Sequence, residues 1–412
     1  MRGPIARATL RTTGVLFLRL LIQAGALLLL ARLLGPADYG ALAGATALAT
    51  MLGMLSTFGT QWMLLAEVAR EPARSREMLA TALGTTTAIG GVLFAIYASA
   101  AHLLFGTLGL VPTLVAIGIA ETVVQPLLVV VSAQQQALGH IATSQIVTTA
   151  PLSLRLAVIA GLWAAAPERP LAAYAVGYLC AGLAALAAAA WSGRRDWPRL
   201  GEWRCARPGE LRAATGYAVL GLTSAAPAEL DKTLAARLLA PVQAGIYAAT
   251  ARIVMAAVLP IAALMFAATP RLFREQERAG RLVRAILLVS AGYGLALAAF
   301  LVLAAPVLAP FFGAKFAGLE TALRLMAAAI PAMALRVSAG YVLMSFGRAW
   351  WRVSMETTGL CVLAICAALL CGRYGLPGMI TALTCAEWSM ALLGLALLRR
   401  RQAALAKPAD PA

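Results

Sequence analysis

Charge is what this chain has least of. Only 12% of its 412 residues are Asp, Glu, Lys or Arg, while 61% are hydrophobic; soluble domains average about 25% charged and 45–50% apolar. One water-soluble core cannot bury so much apolar sequence, so the natural solvent is a bilayer. Histidine is nearly missing, with only His102 and His140, and a histidine metal site is not expected. His102 reads as the outer end of a span and His140 as part of a cytoplasmic turn. The absence of a G-x-x-x-x-G-K-[ST] cradle argues against ATP-driven transport by this chain. H-E-x-x-H and G-x-S-x-G are missing too, which removes two hydrolase chemistries. None of the six cysteines forms a C-x-x-C pair, and buried, inert thiols are expected.

What is present is a succession of apolar runs. A helix needs about 20 mostly apolar residues to cross the hydrocarbon core. Twelve such runs occur, at roughly 12–34, 40–66, 79–104, 108–135, 144–166, 171–191, 213–239, 242–269, 283–305, 317–346, 354–372 and 376–398. The first could pass for a signal peptide, with Arg2, Arg7 and Arg11 ahead of it. Arg19 interrupts that run, and the segment ending at Gly40 recurs later, so it reads as a membrane span. The longest hydrophilic stretch, Ser192 to Arg212, is too short for a soluble domain.

The formal net charge of +17 would suggest nucleic acid in a soluble protein. Placement of the charges says otherwise. Of the 34 basic residues, 23 fall on the side that carries both termini, five on the other side and six within spans. Such a bias places both termini in the cytoplasm.

An internal repeat divides the chain. Leu29–Gly40 reads LLARLLGPADYG and Leu234–Gly245 reads LAARLLAPVQAG, with seven of twelve positions identical at an offset of 205. Each copy joins the first and second span of a six-span half, and an even number of spans makes the repeat parallel. A proline that cannot continue a helix, followed by a new start, gives the motif a structural role. The expected organisation is an N-lobe at 1–192, a linker at 193–212, a C-lobe at 213–399 and a tail at 400–412.

Ionisable residues inside spans carry the functional signal: Arg19, Glu121, Arg155, Glu229, Asp231, Lys232, Arg252, Arg324, Arg336 and Glu387. Each would cost about 2.5–3.5 kcal/mol at the centre of a lipid-facing helix, so most must face one another or a wet cavity. Glu229 and Lys232 share a helical face, whereas Asp231 points about 100° away and is free for another partner. Glu121 and Glu387 can pair with Arg155, Arg252 or Arg336. Six bases against four acids leave a surplus of two positive charges. The offset maps Arg19 onto Ser224 and Arg252 onto Ala47, so the charges do not follow the scaffold's duplication. Surplus guanidinium suggests an anionic substrate, because arginine matches phosphate oxygens bidentately. Pro126, Pro151, Pro227, Pro260, Pro306 and Pro331 predict kinked spans, and Trp350-Trp351 an interfacial anchor.

The stretch Leu33-Leu34-Gly35-Pro36-Ala37-Asp38-Tyr39-Gly40 resembles the opening of the oligosaccharide flippases, the Wzx-like transporters of the multidrug/oligosaccharidyl-lipid/polysaccharide exporter superfamily. Asp231-Lys232, Arg237-Leu238-Leu239-Ala240-Pro241 and Gly245-Ile246-Tyr247 match that family's second-half pattern, with Ala240 where the first copy has Gly35. The resemblance implies an all-α integral membrane protein of about twelve helices in two six-helix lobes. It implies a flippase, not an enzyme, that moves undecaprenyl-pyrophosphate-linked oligosaccharide across the bacterial inner membrane for surface polysaccharide synthesis. The lobes would alternate around a cationic cavity, with Arg19, Arg155, Arg252 and Arg336 binding the anion and Asp231 or Glu121 coupling to an ion gradient. Expected partners are a lipid-linked anionic oligosaccharide, membrane lipid, and a glycan polymerase or glycosyltransferases; no cofactor, metal or nucleic acid is expected. Alternatives are a multidrug/cation antiporter of the same superfamily, disfavoured by the basic surplus, and a membrane scaffold or enzyme of envelope glycan assembly.

Overall fold

The computed structural model describes the backbone at residues 4–105, 111–194, 196–274, 279–346 and 349–406. Side chains are described from Ile22 onward, except at 105–110, 195, 217, 219–228, 266–267, 269–279, 347–349 and 401–412. Among the described residues every regular element is a helix. In order these are α1 (Pro4–Gly53), α2 (Thr60–Arg70), α3 (Ser75–Phe105), α4 (Val111–Ile119), α5 (Gln125–Ala137), α6 (Ile141–Ala165) and α7 (Pro170–Ser192). Then come α8 (Pro208–Leu238), α9 (Pro241–Arg274), α10 (Ala279–Leu308), α11 (Leu319–Met326), α12 (Ile330–Ser345) and α13 (Ala349–Ala406). Nine described helical stretches are long and apolar enough to cross a membrane. Two of them are double: α1 breaks at Gly35 and α13 at Gly375. With those breaks and α8, the twelve expected spans are all present, and the chain is an all-α, multi-pass membrane protein.

The breaks follow from the sequence. Gly35 has φ 73° and ψ 173°, a conformation that residues with a Cβ avoid, and Pro36 opens the next helical segment with its φ already set. In the second copy of the repeat α8 simply ends at Leu238 and Pro241 starts α9. No left-handed residue is needed there, which explains why Ala240 can replace the glycine. Gly375, at φ 57°, precedes Pro377 in the same way.

One expected span is not a continuous helix. The run at 40–66 is interrupted at Met54–Gly59, where Phe58 and Gly59 take φ of 46° and 79°. Opposite it the fourth span carries a five-residue π-helical stretch, Ala120–Val124, between α4 and α5. Pro126 lies just beyond and has no N–H to give the Thr122 carbonyl; Ser56 Oγ donates to that carbonyl at 2.6 Å. Pro151 and Pro306 lie inside α6 and α10, and Pro331 follows a 3₁₀ turn at Ala327–Ala329.

By internal contacts the chain divides into compact units at Met1–Leu222 and Thr223–Ala412. In the first, Leu64, Leu79, Leu83, Leu128 and Val131 pack together, with Trp197 and Trp203 of the mid-chain linker against them. The linker is clasped to α3. Arg76 bonds both oxygens of Glu202 at 2.9 and 3.0 Å, Arg204 reaches Glu77 at 3.1 Å, and the Ala206 N–H donates to Thr85 Oγ1 at 2.8 Å. The loop before α3 and the linker therefore share one end of the unit, as their common assignment to one membrane side requires. In the second unit Ile261, Met265, Val283, Val342, Leu343, Met355 and Met390 form the core.

The clasp predicts a pH dependence. The hydrogen bond from Arg76 is the main cause that holds the Glu202 carboxyl below the usual carboxylate range. A depressed folded value means the clasp is stabilising above the unfolded pKa of about 4.3 and loses that stabilisation as pH falls further, through the folded value. Hydrogen-exchange protection across 196–207, after the intrinsic pH dependence of amide exchange is divided out, is expected to be flat from neutral pH to about 5 and to fall below 4. Arg76→Gln would exchange fast throughout, and an unchanged profile in that variant would refute the clasp.

The cysteine expectation fails. Only Cys371 is buried; Cys180, Cys205, Cys361 and Cys385 are exposed and Cys366 is intermediate. A thiol in an apolar run is hidden from water but not from lipid, and hydropathy cannot tell a lipid-facing position from a packed one.

Candidate functional site

Two clusters of buried charge stand out, one in each unit. In the first, the π-helical stretch brings Glu121 to a site where it is 9% exposed. Thr50 Oγ1 of α1 donates to its Oε2 at 3.1 Å, and the Tyr178 hydroxyl of α7 donates to its Oε1. Arg155 of α6 places Nη2 3.9 Å from that same Oε1, within ion-pair range but too far for a hydrogen bond. Its guanidinium carbon sits 3.4 Å over the centroid of the Tyr178 ring, a cation–π contact that desolvation strengthens. Nε and Nη2 of Arg155 are buried without a hydrogen-bond partner. The Tyr97 hydroxyl of α3, also buried and unpartnered, lies within electrostatic reach of Glu121.

In the second unit Arg336 of α12 is 8% exposed and flanked by two carboxylates of α13. Its Nε donates to Glu387 Oε2 at 2.7 Å, and its Nη1 to Glu356 Oε2 at 3.2 Å. Arg352 Nε lies 3.9 Å from Glu356 Oε1. The helices flanking Arg336 thus neutralise it twice, and Arg352 offsets the excess negative charge. Asp231, 4% exposed on α8, accepts from the Tyr247 hydroxyl of α9 at 2.9 Å and lies within electrostatic reach of Glu387. Lys232 Nζ lies 3.3 Å from Glu229 Oε2 and 3.4 Å from Asp231 Oδ1.

Several expected pairings are therefore present: Glu229 with Lys232, Glu121 with Arg155, and Glu387 with Arg336. Asp231 does find a further partner, Tyr247, but it is also reached by Lys232. Tyr247 belongs to the Gly245-Ile246-Tyr247 motif, so the motif's tyrosine meets its acid. Arg252 is exposed on α9, within electrostatic reach of Glu229. Arg324 is an exposed partner of Glu320 at 2.8 Å, one turn away, and not a buried charge. The Arg19 side chain lies outside the described residues. Of the anion-binding candidates, Arg155 belongs to the first unit and Arg252 and Arg336 to the second.

Sequence reasoning missed Glu356, which is 1% exposed although it lies in the first turn of the expected eleventh span. Carboxylates are ordinary at span ends; the signal available was Arg352, one turn earlier. Adding Glu356, and Glu320 which lies within the tenth expected span beside Arg324, sets six acids against the six bases named, and the surplus disappears. Tyr97 and Tyr178 were missed as well, because a tyrosine in an apolar run reads as core.

The sequence profile of the family described as "polysaccharide biosynthesis protein" matches residues 5–276. No curated protein sequence matches the chain. Among solved structures, an inward-facing multidrug resistance MATE transporter of the MOP superfamily aligns over 94% of this chain and 95% of its own, with TM-score 0.72 and 15% identity. The lipid II flippase MurJ in its inward closed conformation aligns over 94% and 87%, with TM-score 0.75 and 12% identity. A MOP superfamily transporter from Pyrococcus furiosus, described as having a binding pocket of reverse polarity, aligns over 96% and 94%, with TM-score 0.62 and 16% identity. At such identities these likenesses establish the fold: twelve helices of the MOP transporter type. The profile match covers well over half of the sequence, and the chain belongs to the polysaccharide biosynthesis protein family.

Proposed function

We propose that this protein is an alternating-access flippase in the bacterial inner membrane, moving undecaprenyl-pyrophosphate-linked oligosaccharide for surface polysaccharide assembly. Family membership and the MOP-type fold support transport of a glycan intermediate. The observation that favours a pyrophosphate-bearing substrate is Arg155: a guanidinium inside an apolar span whose Nε and Nη2 have no acceptor. Those two N–H groups form the side-on fork that pairs with two oxygens of a phosphate or carboxylate. A cation drug gains nothing from such a fork, which is why the antiporter reading ranks second.

Arg19, Arg252 and Arg336 complete the proposed anion-binding set, and Asp231 and Glu121 are the proposed coupling carboxylates. The two lobes are 1–192 and 213–399, with the linker and the termini cytoplasmic. A glycan polymerase and glycosyltransferases are the proposed partners.

The test is reconstitution of the full chain into proteoliposomes containing a fluorescent prenyl-pyrophosphate oligosaccharide. Flipping reads out as the growth of the label fraction accessible to an external quencher. A flippase raises that rate well above protein-free vesicles, and Arg155→Leu, with its fork removed, lowers it by about tenfold or more. A wild-type rate equal to that of empty vesicles would defeat the proposal and return the scaffold or enzyme reading.

A further inference from the structure

We propose that Glu121 and Arg155 form a proton-operated latch, in which protonation of Glu121 hands the Arg155 fork to a phosphate oxyanion, so that proton and substrate bind together. This rests on the reading that the chain carries a pyrophosphate-linked substrate.

The geometry is that of a contact made incompletely. Arg155 Nη2 stands 3.9 Å from Glu121 Oε1, about 1 Å beyond a charge-assisted hydrogen bond. Both Glu121 oxygens already have donors, Tyr178 on Oε1 and Thr50 on Oε2. The Arg155 fork is buried with neither N–H satisfied. A buried donor left unpaired is costly, so a site that keeps two is one awaiting an acceptor. Cation–π stacking on Tyr178 fixes the guanidinium plane meanwhile. The Glu121 carboxylate is the acceptor at hand and, while ionised, competes with any external oxyanion for the same fork.

Protonation removes the competitor. One proton passes from water to the Glu121 carboxyl, and no other covalent bond changes. The neutral carboxyl keeps its bonds to the Thr50 and Tyr178 hydroxyls, which can donate or accept. Arg155 then carries an uncompensated positive charge, which the substrate's phosphate neutralises. The groups that face Glu121 set the direction. From α3 comes Tyr97, from α6 Arg155, from α7 Tyr178 with Tyr174 packed edge-on against it at 6.0 Å, and from α1 the Thr50 hydroxyl. Helices α4 and α5, which continue from the π stretch, contain no titratable residue. Arg155 is thus the one permanently charged neighbour among these groups, and it alone answers a change in the charge of Glu121. Coupling of this kind is reciprocal: if a proton tightens substrate binding, substrate tightens proton binding equally.

Calorimetry on the full chain in detergent tests the latch, with a short-chain prenyl pyrophosphate as probe and inorganic pyrophosphate as the lipid-free arm. Titrations repeated in buffers of different ionisation enthalpy give the protons taken up per ligand bound. Wild type is expected to take up about one proton more than Glu121→Gln, and its affinity to rise by up to about tenfold per pH unit as pH falls. Glu121→Gln binds tightly at every pH, and Arg155→Leu loses affinity for both probes. On unaltered protein, infrared difference spectra should show a protonated carboxylic acid band appearing when either probe binds, so the proposal does not depend on a variant's folding. Binding of the prenyl probe with no proton uptake and no such band overturns the latch and leaves the flippase reading standing. Failure of both probes to bind at any pH overturns the two together.

Discussion

Replacing Arg336 with methionine is expected to destabilise the second unit by about 3–5 kcal/mol, the cost of stripping the partner from buried charge. Glu387 and Glu356 are 2% and 1% exposed, and each takes a hydrogen bond from Arg336 at 2.7 and 3.2 Å. Without the guanidinium, two like charges would remain in an apolar site with only Arg352, 3.9 Å from Glu356, to offset one of them. The same physics predicts a rescue. Buried ion pairs are often no better than well-packed apolar groups of similar volume, so a triple variant, Arg336→Met with Glu356→Leu and Glu387→Leu, should recover most of the loss. Thermal unfolding in detergent distinguishes the cases. A single variant that melts within about 1 kcal/mol of wild type would show that these charges are hydrated rather than paired.

That experiment also separates two kinds of intramembrane arginine. The Nε and Nη1 of Arg336 are taken by two carboxylates, one from each half of α13, and an anion would have to displace them. Arg155 is held less closely: its Nε and Nη2 have no hydrogen-bond acceptor, and its one carboxylate neighbour, Glu121, stands 3.9 Å away. Transport lost in Arg336→Met but restored in the triple variant marks a structural role; transport that stays lost marks a role in binding.

How far the sequence reaches is visible in these same residues. Hydropathy runs located twelve spans because membrane helices must hide their backbone polar groups, and that demands long apolar runs. The cost of bare charge in lipid predicted that Glu121 and Glu387 would be paired, and arginines from the proposed set are their partners. Irregular backbone was invisible. The break at Met54–Gly59 and the π-helical stretch at Ala120–Val124 are set by how two spans meet, and the apolar average runs smoothly through both. Facing was invisible too: Cys361 and Cys371 lie in the same apolar run, yet one is exposed on the surface and the other packed. Glu356 escaped because a carboxylate near a span end looks solvated until the neighbouring helix is seen to cover it.

The irregular backbone of the first unit gives the second large effect, with opposite signs at adjacent positions. A Cβ on Gly53 would collide with the Glu121 carbonyl oxygen and stand 3.0 Å from its carbonyl carbon. A Cβ on Gly90 would lie 2.5 Å from the Thr122 carbonyl oxygen. These two glycines let α1 and α3 approach the π-helical stretch backbone to backbone, the close packing that small residues permit in membranes. The obstacle in both cases is main chain, which has no rotamer to move. Alanine at either position must push a whole helix away, strain the Ser56 to Thr122 bond of 2.6 Å and shift Glu121 relative to Arg155. A loss of about 1–3 kcal/mol is expected for Gly53→Ala and for Gly90→Ala, as for other overpacked sites, with glycan flipping slowed in parallel. Gly91 meets nothing within 4 Å, and alanine there stiffens an exposed helix position, so Gly91→Ala should gain up to about 1 kcal/mol. Melting curves and flipping rates of the three variants decide the matter. If Gly90→Ala behaves like Gly91→Ala, the π-helical stretch is not held by backbone contact, and the position of Glu121 needs another cause.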